Sequence, residues 1–161
     1  MNDLIDKSVE DKIQGIRDKL PAINSGPSLE TAVQVGFTSC SGDHIIASRG
    51  NTIKFNDGKT SYGVTNFTQF LSSGVFTCEV PGLYQIIATV KTHTNAATFG
   101  IYKNDAIQNS GYVAEHSLRD ATTNYDHTST AVVVVKLGIN DTISVLAGVD
   151  MYLHSETCVS V

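Results

Sequence analysis

Tryptophan is absent from this chain, methionine occurs twice, and proline and cysteine three times each. Three thiols cannot all pair internally, and no Cys-x-x-Cys spacing is present. Charge is scarce, at 17% of residues against a typical ~25%. Hydrophobic content is an ordinary 41%, which argues against disorder. The net charge is -5 and no segment is a Lys/Arg run. The footprint of a phosphate-binding surface is therefore missing, and no nucleic-acid partner is expected. No apolar run approaches the ~20 residues needed to cross a bilayer, so no membrane span is expected. The opening residues, MNDLIDKSVED, are acidic and do not read as a signal peptide. That leaves a secretory origin open for a mature or recombinant form starting at an added Met. What the chain has in quantity is Ser and Thr, 32 of its 161 residues, a composition that leans towards β-structure. The length fits one domain with a short appendage.

Residues 1–20 carry Ile5, Val9, Ile13, Ile16 and Leu20 at 4-4-3-4 spacing, with charged residues between them, which predicts an amphipathic helix. Val9, Ile13, Ile16 and Leu20 also fit d and a positions of a coiled coil. The segment is a helix docked on its own domain, a short self-associating stalk or a frayed, disordered end, and Pro21 ends the pattern. Residues 21–31, PAINSGPSLET, read as a linker. From residue 32 onward the rhythm has period two. Strands are predicted around 32–37, 52–55, 74–80, 83–92, 98–103, 107–113, 130–137, 142–146 and 157–161. Turns fall at Asn56-Asp57-Gly58, Pro81-Gly82, Asn104-Asp105 and Gly138-Ile139-Asn140-Asp141. Residues 114–127 carry no apolar period and read as a long loop, a place where function often sits. Eight to ten short strands with no helical pattern between them predict an all-β antiparallel sandwich or jelly roll. Cys78 alternates with Phe76 and Val80 and is expected to be a buried free thiol. The near-continuous apolar run Thr130–Leu137 suggests a strand covered on both faces, which one small sandwich achieves poorly without partners.

The segment Gly74-Val75-Phe76-Thr77-Cys78-Glu79-Val80-Pro81-Gly82-Leu83-Tyr84 resembles the central motif of the complement C1q globular-head family. Phe76, Gly82 and Tyr84 hold the Gly-x-Phe and Gly-x-Tyr places. Lys103-Asn104 resembles that family's Lys-Asn-Gly turn, with Asp105 in place of Gly. Ser129 to Leu137, then Gly138 and Asp141, resemble its Ser-to-Leu, Gly and Asp segment, and Ile53-Lys54-Phe55-Asn56 resembles its Val-x-Phe-Asn entry. The resemblance covers residues 31–161. It departs in the 57–70 region and at the end, where Glu156-Thr157-Cys158-Val159-Ser160-Val161 replaces Phe-Ser-Gly-Phe.

The resemblance implies a ten-stranded jelly roll like that of tumour necrosis factor, over residues 32–161, assembled as a tight homotrimer. It implies a secreted, extracellular protein that binds targets rather than transforming them. Stalkless members with a short coiled coil are pattern-recognition lectins of innate immunity, for sialic acid or microbial surface polysaccharide. The alternative is a signalling or structural trimer that binds a protein receptor. In such a jelly roll the terminal strands are antiparallel neighbours, so a Cys40–Cys158 disulfide is geometrically allowed.

No catalytic constellation appears. Gly-x-Ser-x-Gly, His-Glu-x-x-His and a P-loop are all missing, so no enzyme is expected. The sequons at Asn66 and Asn140 permit glycosylation. Five histidines are dispersed: His44, His93, His116, His127 and His154. His116 and His127 bracket the long loop with Asp126 and are the pair that metal ligation would need to bring together. Loop carboxylates Glu115, Asp120 and Asp126, with Asp150, make Ca²⁺ the cation to consider, although no EF-hand spacing supports it and no cofactor is otherwise expected. The loop and its borders hold Tyr112, Glu115, His116, Arg119, Asp120, Asn124, Tyr125, Asp126 and His127. Sugars need rings for their apolar faces, planar groups for their hydroxyls and a guanidinium for any carboxylate. Tyr112, Arg119, Tyr125 and His127 are the favoured set, and Tyr152 with His154 forms a second polar-aromatic pair.

Overall fold

The computed structural model describes residues 34–113 and 126–161, together with Lys12 and Gln14. Apart from Lys12 and Gln14, which are helical, the stalk and linker expectations for residues 1–31 lie outside the described residues. The described strands are β1 (Gly36–Cys40), β2 (Ile45–Ala47), β3 (Asp57–Tyr62), β4 (Val75–Thr77), β5 (Gly82–Thr92), β6 (Thr98–Lys103), β7 (Ala106–Tyr112), β8 (His127–Leu137), β9 (Thr142–Ala147), β10 (Met151–Leu153) and β11 (Cys158–Ser160). The helix α1 (Phe67–Ser73) sits between β3 and β4.

The strands form a five-stranded sheet in the order β3-β1-β11-β5-β8, a four-stranded sheet in the order β4-β9-β6-β7, and a β10-β2 ribbon. Every pairing is antiparallel. The all-β antiparallel sandwich predicted from period-two patterning is therefore what the chain builds. On β5, Tyr84, Ile86, Ala88, Val90 and Thr92 are buried at alternate positions. The first four share one core with Phe99 and Ile101 of β6 and Ile143, Val145 and Ala147 of β9. Each such large apolar side chain contributes about 1.5–3 kcal/mol by leaving water.

The turns follow from residue type. Asn104 and Asp105 have φ of 46° and 67° and close the β6–β7 hairpin with two residues. Asn and Asp are the non-glycine residues that tolerate this left-handed region best, which is why Asp105 serves where Gly is usual.

Several segments differ from expectation. Ile53 and Phe55 are fully buried and Lys54 is exposed, but residues 53–56 form no regular strand; the contact there is a single Thr52–Leu146 bridge. Asp57-Gly58, read as part of a turn, opens β3 instead, a polar edge strand exposed along most of its length. The 67–73 segment is helical. Phe67, Phe70 and Leu71 stand at i, i+3 and i+4 and turn one face onto the core, with Phe70 buried 4.4 Å from the Phe37 ring. Gly74, at φ 76°, ends the helix by donating its N–H to Phe70 O at 2.7 Å. Cys78 is a buried free thiol. It donates to Val80 O at 3.1 Å, the same carbonyl that accepts from the Tyr84 hydroxyl at 2.5 Å.

Candidate functional site

One end of the sandwich gathers ring-bearing and charged side chains from four parts of the chain. β5 ends at Thr92 and delivers His93. The β10–β11 connection delivers His154, just after Tyr152 of β10. His44 stands just before β2, and Asp126 just before β8. Hydrogen bonds to the backbone of residues 152 and 154 fix these pieces together. His154 N donates to Lys91 O at 3.0 Å, Tyr152 N to Thr94 Oγ1 at 3.0 Å, and the buried Ser41 hydroxyl to His154 O at 2.7 Å. The Cys40–Cys158 disulfide closes the same region, joining directly opposed residues of β1 and β11.

Within this frame the Tyr152 ring lies 4.6 Å from His93, 5.4 Å from His154 and, stacked, 5.5 Å from His44. His44 meets His154 edge-on at 4.9 Å. His154 Nε2 lies 2.9 Å from Asp126 Oδ1 and 3.3 Å from His93 Nδ1. Lys91 Nζ stands 3.7 Å from Asp126 Oδ2 and 3.1 Å from Glu156 Oε1. The Lys91–Glu156 bond raises the Lys91 amine and lowers the Glu156 carboxyl, so both stay charged. The arrangement offers aromatic faces, imidazole nitrogens and carboxylate oxygens in one partly sheltered patch.

Of the residues singled out in the sequence, Tyr112 ends β7 and is 56% exposed. His127 opens β8 opposite Thr92, beside the ring cluster. Asp126 joins His154 and His93, whereas His116, its expected metal partner, lies outside the described residues. So do Glu115, Arg119, Asp120, Asn124 and Tyr125. Asp150, considered for Ca²⁺, instead accepts from Arg49 N at 2.7 Å. Asn66 directs its side-chain nitrogen to Thr77 O at 3.0 Å, while Asn140 is exposed in a turn at φ 68°. The roles of His44 and His93 were missed. Their shared signal is that each sits just outside a strand, at positions that only the strand pairing brings to the same end.

A second surface feature lies on the outer face of the five-stranded sheet. Val132 and Val134 of β8 are 43% and 57% exposed, and Leu83 of β5 is 75% exposed. Val132 faces the half-buried Ile87 across the ladder, and Val134 faces Gln85. The apolar run 130–137 is thus covered on its inner face only.

No family model matches the chain, and no curated protein is similar to it in sequence. Solved structures do match in fold. The globular domain of zebrafish complement 1qA protein superposes with a TM-score of 0.63 at 16% identity, over 79% of this chain and 94% of that one. Murine APRIL at pH 5.0 gives 0.60 at 9% identity, over 78% and 95%. Eiger TNF from S. frugiperda gives 0.58 at 8% identity, over 78% and 88%. The described domain has the jelly-roll fold of C1q and TNF-type domains.

Proposed function

We propose that this chain is a secreted, homotrimeric, C1q-like binding module that recognises glycans, sialic acid or microbial polysaccharide, and does not transform them. The observation that carries the reading is the unpartnered apolar stripe formed by Leu83, Ile87, Val132 and Val134 on one sheet face. A lone domain leaves this surface in water, and self-association removes it. The disulfide suits an oxidising compartment, and no helix among the described residues is long and apolar enough to cross a membrane. The proposed glycan surface is the β7–β8 loop with its borders: Tyr112, Glu115, His116, Arg119, Asp120, Tyr125, Asp126 and His127. Its support is position, since that loop enters β8 through Asp126 beside the ring cluster. Three copies of a weak pocket gain two to four orders of magnitude in avidity on a clustered surface.

Sedimentation at micromolar concentration tests the assembly: a mass about three times 17.2 kDa is expected, and a stable monomer sinks the reading. A glycan array tests the target. Capture of acidic glycans that Arg119→Ala abolishes supports the lectin. Silence across the array, with the trimer intact, moves the reading to a trimer that binds a protein receptor.

A further inference from the structure

Among the described residues, one group of three potential metal ligands converges: His93, Asp126 and His154, whose ligand atoms all lie within 4.8 Å of one another. Two ligands of a single tetrahedral zinc, each about 2.0–2.1 Å from the metal, are about 3.3 Å apart. His93 Nδ1 and His154 Nε2 are 3.3 Å apart, and His154 Nε2 and Asp126 Oδ1 are 2.9 Å apart. In the protein alone the two contacts of His154 Nε2 have to share one hydrogen or one lone pair. A neutral His154 offers at Nε2 either one proton or one lone pair, yet that atom faces both a carboxylate oxygen and another ring nitrogen. A cation between the three converts all of them into ligands.

The surroundings favour such a cation. Lys91 contributes one positive charge, and Asp126 with Glu156 two negative, so this local group carries a net charge of -1. Lys91 holds the other oxygen of Asp126, leaving Oδ1 directed at the histidines, as outer partners orient ligating carboxylates. Tyr152 packs against both imidazoles and restricts their rotation. The His154 backbone is held on both sides, by Lys91 O and by the Ser41 hydroxyl.

We propose that His93, His154 and Asp126 bind one divalent cation of the zinc class, with water on the open fourth corner. Two imidazole nitrogens select a borderline metal over Ca²⁺ or Mg²⁺, which take oxygen ligands. The site lies within one protomer, so its stoichiometry is one per chain whatever the assembly.

Titration of the oxidised full-length chain with Zn²⁺, followed by calorimetry and by metal analysis after dialysis, tests this. One zinc per chain is expected. Co²⁺ is expected to give the intense visible bands of tetrahedral coordination, bleached by added Zn²⁺. Asp126→Asn is expected to weaken zinc binding by at least about tenfold, and the double variant His93→Gln/His154→Gln to abolish the stoichiometric site. Absence of saturable zinc binding by the parent overturns the proposal. So does unchanged affinity in Asp126→Asn together with the double variant, which puts the cation on other side chains. If the histidine variant does not fold, Asp126→Asn decides, since Asp126 is exposed and its replacement leaves the core untouched.

Discussion

Lys103 Nζ lies 2.9 Å from Asp141 Oδ2, joining the end of β6 to the turn before β9. The same carboxylate accepts from Gly138 N at 2.7 Å and from Asn104 Nδ2 at 2.6 Å. The Gly138 N–H first, then Lys103 and Asn104, hold the Asp141 carboxyl well below the usual carboxylate range. A depressed folded pKa adds stability that is complete above the unfolded value near 4 and disappears as pH falls towards the folded value. Asp141→Asn is therefore expected to melt lower than the parent at pH 7, with the gap closing below pH 4. Melts from pH 7 to pH 2 check this; a gap that does not change with pH refutes it.

The Cys40–Cys158 bridge spans 118 residues of sequence. Closing so long a loop removes entropy from the unfolded chain, and losing a native disulfide typically costs about 2–5 kcal/mol. For a chain this size each kcal/mol shifts Tm by about 2–4 °C. Cys40→Ser/Cys158→Ser is expected to melt roughly 5–15 °C below the oxidised parent, with calorimetry as the measurement. A reductant should lower the parent's Tm by a similar amount and leave the variant's Tm unchanged.

Long strands between clear turns were legible in the sequence. β5 and β9 alternate over six or more residues, β6 and β8 carry apolar runs, and all four are bounded by Pro81-Gly82, Asn104-Asp105 or Gly138 to Asp141. β2 and β10 were not legible. Each has three residues and exists by pairing with the other, Ile46 opposite Tyr152, more than a hundred positions away. α1 was hidden for a different reason. Two turns give a 3.6-residue period too few repeats to stand out, and its Phe67, Phe70 and Leu71 pattern is explained only by the Phe37 and Phe55 rings packed on it. The site followed the same rule: Tyr152 and His154 are near neighbours in sequence, but His44, His93 and Asp126 reach them through tertiary structure alone.

Gly74 combines a φ of 76° with close packing: a Cβ there would stand 2.5 Å from Ile53 O. Backbone on that side cannot swing away as a side chain would. Gly74→Ala meets both the left-handed strain and the clash, and is expected to cost about 1–3 kcal/mol or more. Denaturant unfolding measures it, and a stability equal to the parent's refutes the assignment of Gly74 as the obligatory end of α1.

Val134 tests the apolar stripe directly, because it is 57% exposed and its neighbours across the ladder are Gln85 and, one pair along on the same face, Ile87 with Val132. In a lone domain Val134→Lys places its ammonium in water. The cost is then confined to strand propensity, at most about 1 kcal/mol. In the proposed trimer the ammonium is carried into an apolar contact with no partner, where burying a charge costs far more than losing a methyl contact. Val134→Lys is therefore expected to keep the parent's far-UV spectrum and nearly its Tm as a monomer, while sedimenting at one third of the parent's mass. Ser61→Lys, on the exposed edge strand β3, is expected to leave the assembly intact. A Val134→Lys protein that sediments as the parent does would show that this face is not the interface. A Ser61→Lys protein that dissociates as well would point to a contact at the β3 edge instead.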